Sequence, residues 1–402
     1  MLCADEAALD EIARRFGTPC YVYSQASIEA AYAEFAAALK ERREAQICYS
    51  VKANSNLAIL ALLARLGAGF DIVSGGELAR VIAAGGDPRK TLFSGVGKSE
   101  AELRFALEKN IGCINLESES ELGRVNALAG QIGKRAPVAF RVNPDIDAKT
   151  HPYISTGLRD TKFGVAHADA ERLYRKAHAM KSVEVIGIGC HIGSMLQEAA
   201  PFVAAAERLV ALVDRLESAG IRLQHVDFGG GIGIRYRDEA PQPPGVFVAG
   251  VLGVLGGRRQ AVMFDPGRSI VGNAGVLLTR VEYVKPRFLV VDAGMNDLIR
   301  PALYGAWHEV RPVVESPGPA AVYDIVGPVC ESADFLAKDR KLAASEGDLL
   351  AIMSCGAYAM AMSSNYNSRP RAAEVLVTQG GARLVRRRES VEELFALERI
   401  QD

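Results

Sequence analysis

An alternation that recurs about eight times between residues 46 and 264 constrains this chain more than any other feature of it. Short apolar runs lie at 46–51, 69–73, 91–94, 111–116, 137–142, 183–190, 223–228 and 261–264. Between them, at 56–66, 77–84, 100–107, 119–129, 169–180 and 202–219, apolar residues recur every three or four positions. The first pattern is that of a strand buried on both faces, and the second that of an amphipathic helix. A further helix is expected at 27–39, ahead of the first run. The stretch 246–255 offers the last one, although its glycines make it a poor helix and 241–257 reads as a loose surface excursion. Strand–helix units repeated eight times over roughly 250 residues predict an α/β fold, a (β/α)₈ barrel.

After residue 268 the texture changes. Runs at 274–284, 287–291, 321–326, 349–353 and 374–377 are β-rich, with few helical stretches between them. They predict a separate antiparallel β domain, closed by a final helix at 391–397 and joined by a strand from 21–23. At 402 residues the chain exceeds one ordinary core. The expected division is therefore a barrel over 24–268 and a β domain over 269–402, with residues 1–23 adding a strand to the latter. A net charge of −1 gives no electrostatic case for nucleic acid or an anionic membrane. The uncharged stretch 240–257 is broken by prolines and glycines and falls short of a membrane span. The first residues show no basic-then-apolar secretory signal. Seven scattered cysteines without paired C-x-x-C spacing predict thiols in a reducing cytoplasm, with neither a disulfide framework nor a metal site.

Barrel enzymes carry their chemistry at the carboxyl ends of the strands. There this chain places Lys52, Asp71, Arg141, His191, Gly229 to Gly231, and Asp265 to Arg268. Lys52 follows an apolar run, so its stem should be packed and its amine should sit at the mouth of the core. Such an amine either attacks a carbonyl, being partly neutralised by burial, or simply reaches solvent. The run Asp227-Phe228-Gly229-Gly230-Gly231-Ile232-Gly233 either cradles a phosphate on its amides or makes a tight turn. Ser194 could add a hydroxyl to that phosphate. The flat His191 ring could lie against a planar cofactor or be an ordinary core histidine. Asp265 and Arg268 could hold a pyridine proton and an anion, or pair with each other at the surface. In the β domain the candidates are Arg300 and Tyr304 for a substrate carboxylate, Cys330 beside Glu331 in a loop, and Tyr358 for a phosphate oxygen.

Together with Tyr21-Val22-Tyr23, Tyr49-Ser50-Val51-Lys52-Ala53-Asn54, Phe70-Asp71-Ile72-Val73-Ser74, His191-Ile192-Gly193-Ser194 and Ser364-Asn365-Tyr366-Asn367-Ser368-Arg369-Pro370-Arg371, these segments resemble the pyridoxal-phosphate decarboxylases with an alanine racemase-like barrel. Within that group they are most similar to the branch acting on diaminopimelate, and the resemblance covers nearly the whole chain. It implies pyridoxal 5′-phosphate as cofactor, joined covalently to Lys52, with His191 stacked on its ring. Asp71, Arg141, Ser194, Gly230, Gly231, Asp265, Gly267, Arg268 and Tyr358 would hold it. Arg268, Arg300, Tyr304, Glu331 and Tyr358 would contact substrate, and Cys330 would donate the proton that replaces carbon dioxide. It further implies a homodimer with shared active sites, Cys330 and Glu331 coming from the second subunit.

The expected substrate is meso-diaminopimelate, whose far end carries both a carboxylate and an ammonium. Arg300 and Glu331 supply the opposite charges. The alternatives are a related decarboxylase of ornithine, arginine or carboxynorspermidine, or a low-activity regulatory relative. Three departures stand out. Asp265 occupies a position where the family usually carries glutamate, Lys285-Pro286-Arg287 is a shorter connection than the family's, and the helix at Gly245 to Gly257 is shortened and eroded by glycines.

Overall fold

The structure is a computed structural model that describes residues 2–5, 7–42, 44–146 and 162–400. It divides into two compact units: Ala31–Ile234 with Ala240–Ser269, and Met1–Ala30 with Arg235–Glu239 and Ile270–Asp402. Residues 24–30 and 235–239, which the sequence reading placed with the barrel, thus pack with the β-rich unit.

In the first unit the strands Ala45–Ser50, Gly69–Ile72, Thr91–Phe93, Cys113–Leu116, Ala136–Asn143, Val183–Gly189, His225–Asp227 and Ala261–Phe264 pair in parallel, each with the next. The last pairs back onto the first, Val262 opposite Ala45, so the barrel closes. Short polar caps turn strand into helix. Ser74 accepts from the Glu77 amide, Ser99 and Glu102 form a reciprocal capping box, and Ser118 accepts from the Glu121 amide. These caps fix the turns that follow the strands, where functional side chains must be held still.

The barrel interior is filled with small and medium groups, among them Cys48, Leu92, Cys113, Ala139 and Ile186. Gly187 leaves room for the His225 ring, because a Cβ there would lie 2.1 Å from Nε2. Burial pushes His225 down to about 4, so the ring is neutral.

The last helix, offered at 246–255, is present as Pro244–Leu255 with Phe247, Val248, Val251 and Leu255 buried, so the loose excursion read at 241–257 is not what forms. Phe247 meets Phe202 edge-on at 5.6 Å. Gly250 faces Val203, whose Cγ2 would be 2.6 Å from an added Cβ. Helix propensity is overridden here by close helix-to-helix packing, which a side chain at residue 250 would prevent.

The second unit is built on one large sheet. Its path runs Phe335–Leu342, Ala321–Val326, Phe288–Val291, Gly275–Val284, Cys20–Ser24, Ala373–Thr378 and Gly381–Arg386. Leu349–Ile352 also pairs with Gly275–Val284, and Val310–Pro312 with Leu349–Ile352. Most pairings are antiparallel, but Phe288–Val291 with Ala321–Val326, and Cys20–Ser24 with Ala373–Thr378, are parallel. The strand expected at 21–23 is therefore central to this sheet. Lys285 and Phe288 exchange backbone hydrogen bonds of 2.8 and 3.2 Å, so the short connection at Pro286-Arg287 is a closed two-residue hairpin. The final helix expected at 391–397 is only a single 3₁₀ turn, Glu392–Leu394, with no buried residue to anchor more.

One backbone approach in this unit is unusually close. A Cβ on Gly356 would lie 1.7 Å from the Val271 carbonyl oxygen, while the Gly356 amide donates to Gly272 at 3.0 Å. Gly356→Ala should destabilise the chain by at least about 3 kcal/mol, because backbone rather than a flexible side chain must move. Denaturant unfolding of the purified variant, or its failure to accumulate as soluble protein, checks this.

Candidate functional site

Lys52 lies on the 3₁₀ turn Val51–Ala53, immediately after the strand Ala45–Ser50. Its side chain is 38% exposed, at the mouth of the barrel, and its Nζ is 3.7 Å from Asp71 Oδ2. Asp71 is 1% exposed and also accepts from Ser50 Oγ at 3.0 Å and Ser94 Oγ at 2.5 Å. The carboxylate therefore has two hydroxyl donors besides the nearby amine. Lys52, Asp71, Arg141, His191 and Asp265 line one cavity at the carboxyl ends of five strands.

Three carboxyl groups share this cavity. Asp227 is pushed up to about 7 by burial, although its Oδ1 accepts from the Gly229 amide at 2.9 Å. Asp265 is raised well above the usual carboxylate range, first by burial and then by the neighbouring Asp227 and Asp71. Its Oδ1 is buried and has no hydrogen-bond partner among the described residues. Oδ1 lies 3.8 Å from His191 Nδ1, which receives the Gly230 amide at 3.4 Å. Burial, followed by the charges of Arg141 and Lys52, holds His191 well below the ordinary imidazole range. The ring is therefore neutral, with a flat face that carries no charge of its own.

Beside this lies a cradle made of backbone. Gly231 has φ +96°, and a Cβ on it would sit 2.0 Å from the Gly193 carbonyl oxygen; one on Gly230 would meet the Asp265 carbonyl at 2.3 Å. Only glycine allows the two loops to approach this closely. They are stitched together by Leu196 donating to Gly231 and Gly233 donating to Leu196, both at 2.9 Å. Arg268 Nη2 reaches Ser194 Oγ at 3.3 Å, so a guanidinium and a hydroxyl stand together as an anion site would require. Gly267 packs its Cα against Ser50 and Ala53, where a side chain would collide at 2.9 Å.

Several supporting residues escaped the sequence reading. Ser94, Asn115 and Asp227 line the same cavity. Glu117, 6% exposed, accepts from the amides of Gly95 and Gly164 and pairs with Arg141 Nη1 at 3.5 Å. Lys98, 5% exposed, spends its three protons on Gly95 O, Asn115 O and Glu121 Oε1 at 2.6 to 2.7 Å. Asn115, Glu117 and Ser94 each sit at or just past the end of an apolar run, which was the available signal; Lys98 offered none.

The β-rich unit holds the remaining candidates. Arg300 opens the short helix Arg300–Tyr304 and is 7% exposed, while Tyr304, at the helix end, is half-buried. Tyr358 has φ +54°, a left-handed conformation that is uncommon outside glycine and characteristic of constrained functional positions. Cys330 and Glu331 are exposed on a loop, yet the loop is clamped. The Cys330 amide donates to Asn367 Oδ1 at 2.8 Å, and Asp334, 3% exposed, accepts from the amides of Val329 and Met295 at 2.7 and 2.6 Å. Tyr366 donates its hydroxyl to Glu331 Oε1 at 2.5 Å.

The barrel residues fit a phosphorylated pyridine aldehyde: an amine to join, a glycine-lined loop with a guanidinium and a hydroxyl for phosphate, a neutral ring face, and a buried carboxyl oxygen without a hydrogen bond among the described residues for a ring N–H. All seven cysteines are thiols, and no group among the described residues could hold a metal ion. No helix among them is long and apolar enough to cross a membrane.

Comparison with known proteins agrees with this geometry. Residues 25–272 match the model of the pyridoxal-dependent decarboxylase family, pyridoxal binding domain. The diaminopimelate decarboxylase of Pseudomonas aeruginosa is 57% identical over 98% of this chain and 96% of its own length. That of Vibrio cholerae is 53% identical over 99% and 97%. The crystal structure of the Helicobacter pylori diaminopimelate decarboxylase complexed with L-lysine superposes with a TM-score of 0.93 at 42% identity, covering 97% of this chain and 98% of that one. The chain belongs to the diaminopimelate decarboxylase family of pyridoxal-dependent decarboxylases.

Proposed function

We propose that the chain decarboxylates meso-2,6-diaminopimelate to L-lysine and carbon dioxide, the last step of lysine biosynthesis. The observation that carries this reading is a lysine amine and an unpartnered, buried carboxyl oxygen lining one cavity of a barrel whose relatives bear that name. Pyridoxal 5′-phosphate, when bound, supplies the sink for the electron pair left as carbon dioxide departs.

The chain's own residues do the rest. Lys52 would hold the cofactor through its amine, which lies beside Asp71. Asp265 would hold a proton toward the ring nitrogen, and burial among carboxyls suits it to sharing one. His191 would offer an uncharged face to the ring. Ser194, Gly230, Gly231, Gly267, Arg268 and Tyr358 hold the phosphate, and Arg141, fixed by Glu117, sets the field around the ring. Arg300 takes the substrate's retained carboxylate and Glu331 its ammonium, with Arg268, Tyr304 and Tyr358 in contact with substrate. Cys330 gives its thiol proton to the carbon that has lost carbon dioxide. The reading takes Cys330 and Glu331 from a second copy of the chain, in a homodimer working in the cytoplasm, and the seven thiols are compatible with that compartment.

The test is product analysis. Purified, cofactor-loaded protein should release carbon dioxide and L-lysine from meso-diaminopimelate, and nothing comparable from ornithine, arginine or carboxynorspermidine. Turnover of ornithine without turnover of diaminopimelate would sink the substrate assignment.

A further inference from the structure

Arg300 is contacted by a histidine and a tyrosine of its own unit. Its Nη1 lies 2.8 Å from His308 Nε2, and His308 is 0% exposed. His308 Nδ1 lies 2.9 Å from the Met353 carbonyl oxygen, which can only accept. Nδ1 must therefore carry the proton. A guanidinium can only donate, so Nε2 must carry the lone pair. The two contacts together define a neutral imidazole in one tautomer. The Tyr236 ring lies 4.6 Å from the Arg300 guanidinium carbon and meets the His308 ring edge-on at 5.3 Å. Tyr236 belongs to the five-residue segment Arg235–Glu239 that packs with this unit. The Cys355 thiol, also beside His308 Nδ1 at 3.8 Å, is pushed up to about 12 by burial and stays uncharged.

A carboxylate in the place of His308 would fix the guanidinium and neutralise it. An imidazole lone pair orients it without itself bringing a negative charge. The Tyr236 ring adds attraction for the guanidinium, again without a formal charge.

We propose that His308 is a positioning residue for substrate selection, locked as the Nδ1–H tautomer so that Arg300 is presented to the carboxylate the substrate retains, with Tyr236 as the second wall. This rests on the reading that Arg300 receives that carboxylate. It assigns selectivity to two side chains that themselves need not touch substrate.

The experiment uses the holoenzyme and its His308→Phe, His308→Gln and Arg300→Gln variants. Each is assayed with meso-diaminopimelate and with two inhibitors: L-lysine, which keeps the carboxylate, and 1,5-diaminopentane, which lacks it. His308→Phe should raise KM and the lysine inhibition constant by about tenfold or more, the scale of one hydrogen bond to a charged group. Its kcat and its inhibition by diaminopentane should be little changed, as expected when uniform binding is lost. His308→Gln, whose amide oxygen can replace Nε2 as acceptor, should recover most of the loss. Unchanged lysine inhibition in His308→Phe, or equal weakening of both inhibitors, overturns the proposal when Arg300→Gln does weaken lysine. If Arg300→Gln leaves lysine inhibition intact, the Arg300 assignment itself fails and the proposal falls with it. Should His308→Phe not fold, ¹⁵N-histidine NMR of the holoenzyme decides, with the His308 resonances identified by their loss in His308→Gln. A protonated Nδ1 beside an unprotonated Nε2 supports the lock, and the opposite tautomer or an imidazolium overturns it.

Discussion

Lys52→Ala will yield a folded but colourless protein, with turnover down on the order of 10⁴-fold or more, the scale of removing a covalently acting side chain. The fold should survive because Asp71, 3.7 Å from the amine, keeps its hydrogen bonds from Ser50 and Ser94. The lysine side chain is also 38% exposed, so little packing is lost. Wild-type protein should absorb in the visible when cofactor-loaded and gain its mass irreversibly on borohydride treatment, while the variant does neither. A variant that kept both the colour and the trapped mass would place the covalent link on another lysine and remove the centre of the functional reading.

The second large effect belongs to Cys330. Cys330→Ala should take up cofactor as the parent does, yet turn over roughly 10² to 10⁴ times more slowly, the usual range for a positioned acid. The substitution deletes only an exposed sulfur. The loop is held by its backbone, through Asn367 and Asp334, so its course should not change. If each active site draws Cys330 from one chain and Lys52 from the other, mixing the two inactive variants creates some intact sites. Random reassembly predicts about a quarter of parental activity, since half the dimers are mixed and each has one complete site. Activity that stays at background after dissociation and reassembly would argue for sites complete within one chain.

Much of the barrel was legible because two periods in the sequence do not mix. An apolar run ending in a polar residue marks a strand and its functional end at once, which is why Lys52, Asp71, Arg141, His191 and Asp265 could be picked out and do line one cavity. The β-rich unit was harder. Phe335–Leu342 carries four charged residues on an eight-residue strand, and Gly381–Arg386 lies at the end of the sheet with none of its residues buried. Strands with a solvated face or at an edge do not advertise themselves by hydrophobicity. Lys98 was invisible for a related reason: a buried lysine with all three protons matched reads, in sequence, like any surface lysine. Glycines misled once. In Pro244–Leu255 they suggested a weak helix, whereas Gly250 marks a close helix contact that sequence alone does not reveal.

The short segment Arg235–Glu239 bears on protein engineering. It lies between two barrel strands in the chain, yet the aromatic wall beside Arg300 comes from it. A chimaera made by cutting once near residue 270 would transplant the guanidinium and leave its phenol behind. Recombination that aims to move specificity between relatives must therefore carry a second, five-residue graft, and single-crossover hybrids should inherit neither parent's discrimination in full.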